Sequence, residues 1–397
     1  MRRTIWIASI ALCFIALMTS LVVARQRIAG PGEPLAGISA ADFEEFRIGL
    51  DDFLEVETAE EGLGPAFNGT SCAACHSVPV IGGGGPIAEV RAGRRTDSGE
   101  FQALDPSGSG ETLFQLFSVP GHACQAIIPP EANVIARRIP VPVFGAGLIE
   151  AIADSTILSL EDPTDRNRDG ISGRAGMVTD RGTGETRVGR FGWKAQHATL
   201  LAFSGDAYRN EMGITNDLFP DELALGVDAA RMRLCDPIPD PEDVTDPRTR
   251  RRGIDNFASF MKFLAPVARG GSDVFVQSGE LVFGNLGCAA CHTPSLMTGA
   301  NAHRLFDRRP VPLFSDLLLH DVGTGDGIAQ ASALPSEFRT PALWGLRFRR
   351  PLLHDGSAAT IEEAILRHAN EAALARLGYQ KLTEHERNSL LLFLKSL

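Results

Sequence analysis

A chain of 397 residues that is 44% hydrophobic can build two or three cores, and a formal net charge of −11 argues against a general nucleic-acid binder. Charged residues make up only 22%, while 41 glycines and 24 prolines point to short elements joined by much loop. The main basic cluster, Arg248 to Arg252, reads as a solvated loop.

The first predicted element is a leader. Arg2 and Arg3 precede an apolar run to Ala24, with Val22 and Ala24 suited to a signal peptidase, so residues 1–24 read as a signal peptide or an uncleaved N-terminal anchor. Either reading exports the body, which is then periplasmic and touches membrane only through an uncleaved leader. Residues 25–38 form a Gly/Pro linker. A helix is expected over 40–54, with Phe43, Phe46, Leu50 and Phe53 on one face.

Next comes Cys72-Ala-Ala-Cys75-His76, and the same five letters recur as Cys288-Ala-Ala-Cys291-His292. Residues i and i+3 of a helical turn share a face, so each cysteine pair can add across the two vinyl groups of one haem. The following histidine then reaches the iron, and this is the c-type haem attachment pattern. Zinc would use four cysteines but leaves a histidine after both pairs unexplained. A thioredoxin-like pair needs a βαβ setting that neither site has. Two covalently bound haem c groups are therefore expected, with Cys72, Cys75, His76, Cys288, Cys291 and His292 holding them.

Of the seven cysteines, Cys13 lies in the leader and four serve the haem motifs. Cys124 and Cys235 remain, an even pair in an oxidising compartment, and are expected to form a disulfide. Asp165, Asn167 and Asp169 have the oxygen spacing of a calcium loop, but position twelve is Gly176, so the reading is a reduced calcium site or a polar Asx turn. Amphipathic helices follow over 254–264, from Val274, and over 384–395. The expected division is 39–268, carrying haem 1, and 272–397, carrying haem 2.

Several longer segments occur in a set order: GLGPAFNGTSCAACH, RIPVPVFGAGLIEAI, DGISGR, GRFGWKA, MGIT, HDVGTGDG, EFRTPALWGL and HDGSAATIEEAI. The chain from about residue 40 resembles the exported di-haem oxidoreductases often labelled thiol oxidoreductase-like, and more broadly the bacterial di-haem cytochrome c peroxidases and MauG-type enzymes. The resemblance implies a mainly α fold of two cytochrome-c-like haem domains with long loop-rich insertions. It also implies a peroxidase-like activity. Electrons from a donor protein or small redox carrier would pass through the C-terminal haem to peroxide, or dioxygen, at the N-terminal one. A non-catalytic periplasmic electron carrier is the rival of another class, and a di-haem oxygenase that binds dioxygen in an apolar pocket is a second enzyme reading.

The peroxidase pattern places an axial ligand fourteen residues beyond the histidine of an HDG motif. That histidine is His354, which implies His368 as the second ligand opposite His292. The periodicity agrees, since His368 continues the face of Ala364 and Ile365. Trp193 matches the tryptophan between the haems. Glu211 matches a distal acid able to move protons, while the relatives' distal glutamine is replaced by Phe203. Arg339 suits a haem propionate or a structural salt bridge. The far side of haem 1 stays open, with His122 as one candidate ligand. No exported cysteine is left over for thiol chemistry.

Overall fold

A computed structural model describes residues 29–397 apart from 122, 237 and 240; the leader and His122 lie outside the described residues. The Ala40–Leu54 helix begins where expected, capped by Ser39, which accepts from Asp42 N while Asp42 reaches back. Its buried face carries Phe46 and Phe53, which meet Phe260 at ring distances of 5.3 and 4.7 Å. Phe43, expected on that face, is instead 46% exposed. It stacks on Phe46 at 6.3 Å from the solvent side. The Ala40–Leu54 and Gly253–Phe263 helices cross at Gly49, where a Cβ would lie 2.1 Å from the Asn256 carbonyl oxygen.

The C-terminal part repeats this construction. The Val274–Asn285 helix crosses the Glu384–Ser396 helix at Gly279, where a Cβ would lie 2.0 Å from the Ser389 carbonyl oxygen. Phe283 and Phe393 pack beside the crossing at 5.2 Å. Each helix pair thus backs one CAACH motif, and only glycine permits either crossing.

The described chain is 30% helical and 14% strand, so loop outweighs helix and the expected mainly α content holds only as the largest regular class. A four-stranded antiparallel sheet lies between the motifs in sequence. Its central strand Glu89–Arg95 pairs with Phe101–Ala103, Leu113–Phe114 and Val134–Arg138. Alternation along Glu89–Arg95, with Arg138 paired opposite Glu89, brings Glu89, Arg91 and Arg138 to one face. The hydrophobic core does not divide at the expected boundary near residue 270. Leu296, Phe306, Val311, Leu313, Leu317 and Trp344 join the cluster built around Phe46, Phe53 and Phe260. A second cluster gathers Val276, Phe283, Leu390, Phe393 and Leu394. Among the described residues no helix is long and apolar enough to cross a membrane.

The Cys124 and Cys235 sulfurs lie at disulfide distance, with Cα atoms 6.3 Å apart across 111 positions of chain. Closing a loop of about 100 residues lowers the entropy of the unfolded chain by an amount equivalent to about 4.7 kcal/mol. Replacing both cysteines with alanine is expected to lower unfolding free energy by about 2–5 kcal/mol in a denaturant titration. A change below about 0.5 kcal/mol would show that the pair contributes little.

Candidate haem sites

The two CAACH motifs adopt the same turn. His76 N donates to the Cys72 carbonyl at 3.0 Å and His292 N to the Cys288 carbonyl at 2.9 Å. Ser71 caps the first motif by accepting from Ala74 N at 3.1 Å. All four motif cysteines are free and half-buried. Burial pushes the Cys72 thiol up to about 12 and Cys288 up to about 11, so both are held as thiols.

The imidazoles are oriented alike. His76 Nδ1 lies 2.9 Å from the Gly83 carbonyl, His292 Nδ1 3.1 Å from that of Phe314, and His368 Nδ1 2.7 Å from that of Ala364. A carbonyl accepts only from N–H, so each Nδ1 carries the proton and each Nε2 keeps its lone pair for a metal. Burial lowers the pKa of all three, His292 to about 4 with His368 adding to the effect, which keeps them neutral as ligands must be. The glycine turn over 82–85 supplies the carbonyl that orients His76. His368 follows the Ile361–Leu366 helix, whose Ile361, Ala364 and Ile365 pack on the same cluster as Cys288 and Ala289.

An open cavity lies against the first motif. Cys72, Cys75 and His76 form one part of its wall; Glu211, Trp193 and Phe203 form others. Thr199 caps the Leu200–Ala207 helix, which carries Phe203 and Asp206 to the wall. A π-helical turn over Tyr208–Met212 follows and widens the backbone where Glu211 projects. Asn68 Nδ2 donates to Glu211 Oε2 at 2.7 Å. Burial, with the charge of Glu89 adding to it, pushes Glu211 up to about 8 against the opposing pull of Asn68 and Arg91. The carboxyl therefore holds a proton at neutral pH.

Trp193 is buried and donates Nε1–H to the Ile139 carbonyl at 2.8 Å. Phe338 and His354 stack at 4.1 Å and both meet Trp193 edge-on, at 6.1 and 6.2 Å. Arg339 is buried and donates to the Gly192 and Thr340 carbonyls at 2.9 and 3.0 Å. Among the described residues it forms no ion pair, and its Nε and Nη1 meet backbone carbonyls. Burial, then repulsion from Arg349, lowers Arg339 to about 10. Arg349, which sequence reasoning passed over, lies 6.0 Å from the centre of the Trp193 ring and is likewise lowered to about 10 by burial.

Asp165, Asn167 and Asp169 cap their own loop. Asp165 accepts from Gly170 N at 3.2 Å, Asn167 from Asp169 N at 3.1 Å, and Asp169 from Ile171 N at 2.9 Å. These bonds to the loop's own backbone are those of Asx turns.

The residues present fit a haem at the first site. Two free thiols and an imidazole with an available Nε2 face one open cavity, which is the donor set that c-type haem attachment needs. On the same wall Arg138 is fully buried, and its Nη2 has no hydrogen-bond partner while its Nε meets Asp326 at 2.8 Å. A buried guanidinium nitrogen without an acceptor suits a propionate.

The family described as "Di-haem oxidoreductase, putative peroxidase" matches residues 122–397. The chain belongs to this di-haem oxidoreductase family. The match covers the second CAACH motif, His354, His368, Trp193 and Glu211. The first motif lies outside it and rests on its own geometry. Methylamine utilization protein MauG of Methylorubrum extorquens is 30% identical over 124 residues, 30% of this di-haem oxidoreductase and 32% of the relative. The chain thus aligns with about a third of that curated relative. Among solved structures, the Kuenenia stuttgartiensis hydrazine synthase superposes at TM-score 0.42 and 14% identity, covering 95% of this chain and 97% of that one. A MauG-like protein associated with microbial copper homeostasis does so at 0.42 and 17%, covering 94% and 93%. The di-haem peroxidase BthA of Burkholderia thailandensis does so at 0.41 and 15%, covering 94% and 90%.

Proposed function

We propose that the protein is an exported, periplasmic di-haem c-type peroxidase with two cytochrome-c-like haem domains. Haem would be held covalently by Cys72 and Cys75 with His76 at the first site, and by Cys288 and Cys291 with His292 and His368 at the second. The observation that carries the reading is that Glu211, held in its protonated form, shares one cavity with Cys72, Cys75, His76 and Trp193. A pure electron carrier has no use for a proton-holding carboxyl over its cofactor.

In this reading a haem at the first site supplies the electrons that reduce peroxide. The remaining chemistry belongs to the chain. Glu211 gives its proton to the departing peroxide oxygen, which leaves as water. Asn68 holds the carboxyl in place. Phe203, stacked on Phe191 at 5.8 Å, closes one side of the cavity to water. Trp193, with Phe338 and His354 around it, fills the path from the C-terminal site, where an electron-donor protein or small carrier docks. Arg138 and Arg339 receive propionates.

Rapid mixing of the purified holoprotein with hydrogen peroxide tests this. The expected result is a prompt change in the visible spectrum and catalytic consumption of peroxide when a reductant is present. A spectrum indifferent to peroxide, with no consumption, would return the protein to the carrier class.

A further inference from the structure

We propose that His197 and Asp206 form a proton relay that connects the N-terminal cavity to the protein surface. The inference rests on the peroxidase reading, because reducing one peroxide to two waters takes up two protons with two electrons from the donor. Glu211 holds one proton at a time and must be recharged.

Asp206 lies on the cavity wall with Glu211, and its Oδ2 is 2.8 Å from His197 Nε2. His197 also lines a second, smaller cavity, whose wall includes Thr179, Asp180 and Arg181 and which adjoins the first at Gln196. Thr179 and Arg181 are exposed there, so the second cavity opens outward. The pair therefore spans the wall between the two cavities. The Phe203 and Phe219 rings flank the imidazole at 5.9 and 6.3 Å and restrict water around it. A phenylalanine at position 203 has no group to carry a proton, and the relay runs beside it.

The charges facing the pair are compatible with transfer. Asp206 meets Asn210 Nδ2 at 3.0 Å and Arg209 Nη2 at 3.6 Å, and also feels Arg91, Glu89 and Glu211. Burial alone would raise Asp206, but His197, then Arg209 and Arg91, hold it below the usual carboxylate range. It is thus an ionised acceptor toward the histidine. His197 faces Asp180 and Arg181 across the outer cavity. A proton enters His197 from solvent, passes from Nε2 to Asp206 Oδ2, and crosses to the Glu211 carboxylate through cavity water. A second polar contact on the wall, from Tyr208 to Glu57 at 2.8 Å, does not serve. Burial and the Glu57 charge raise that phenol well above its ordinary value, so it keeps its proton.

The test is single-turnover peroxide reduction by holoprotein pre-reduced with ascorbate and a mediator, in H2O and D2O. Haem content and thermal midpoint serve as fold controls. His197→Gln keeps a hydrogen bond to Asp206 but cannot carry a proton; Asp206→Asn interrupts the other end. Each should slow turnover by about tenfold or more and enlarge the solvent isotope effect, with peroxide binding unchanged. The double variant should be no slower than either single one, as for groups acting as a unit. A bulky morpholine sulfonate buffer at rising concentration should restore His197→Gln. Variants with unaltered turnover and isotope effect overturn the relay alone, as do losses that add and ignore the buffer. A wild-type protein that never reduces peroxide sinks the peroxidase reading and the relay with it.

Discussion

Glu211→Gln is expected to lower peroxide turnover by about 100-fold while leaving the rate of peroxide binding unchanged, since an amide fills the same space and cannot donate a proton to the leaving oxygen. The pH dependence gives the sign. Burial and Glu89 disfavour the charged carboxylate, so Glu211 keeps its proton up to about pH 8. Turnover by the native protein should hold below that value and fall as pH rises through it. The variant should lose this alkaline limb and be flat across it. Stopped-flow turnover from pH 6 to 9 makes the comparison; a variant that retains both native rate and native alkaline limb removes Glu211 from the chemistry.

The second large effect is expected at His368. With His368→Ala, the C-terminal iron keeps one protein imidazole, that of His292. The oxidised spectrum of this site should pass from low to high spin. Its potential should move by on the order of 0.1 V, within the roughly 0.8 V that axial ligands command. Electron delivery to the N-terminal cavity should fall with it, and free imidazole should restore the low-spin spectrum. The hydrogen bond from His368 Nδ1 to the Ala364 carbonyl is the structural reason to expect this, because it leaves Nε2 as the coordinating atom. A low-spin spectrum unchanged in His368→Ala would assign the ligand elsewhere.

What could be read in the chain before its structure was what local spacing controls. The CAACH turns need five consecutive residues, the helices at Ala40, Gly253, Val274 and Glu384 show a 3.6-residue period, and the disulfide pairing follows from counting cysteines once the leader is read as an export signal. His368 was proposed from the resemblance, fourteen residues beyond His354, and the face of Ala364 and Ile365 only agreed with it. What escaped was set by distant pairing. Glu89 and Arg138 face each other only because short strands with weak alternation meet in one sheet, and Arg138 finds Asp326 across 188 positions. The proton held by Glu211 is partly the work of Glu89, far away in sequence. Arg349 carries no motif, and its character comes from burial beside Trp193. Tyr208 to Met212 gives no sign of π-helical winding, and its end is met from far away in sequence, where Gly64 N donates to the Met212 carbonyl and Asn68 N to that of Glu211. The core likewise ignores the linker near residue 270, because apolar residues 296–344 pack back on the N-terminal helices.

The account stands on thioether attachment of haem at both motifs, and intact mass spectrometry of protein matured with a cytochrome c assembly system addresses it most directly. The predicted result is the polypeptide plus two haems, with proteolytic peptides carrying one each at Cys72–His76 and Cys288–His292. A mass equal to the bare polypeptide, or a single haem confined to the second motif, would contradict it.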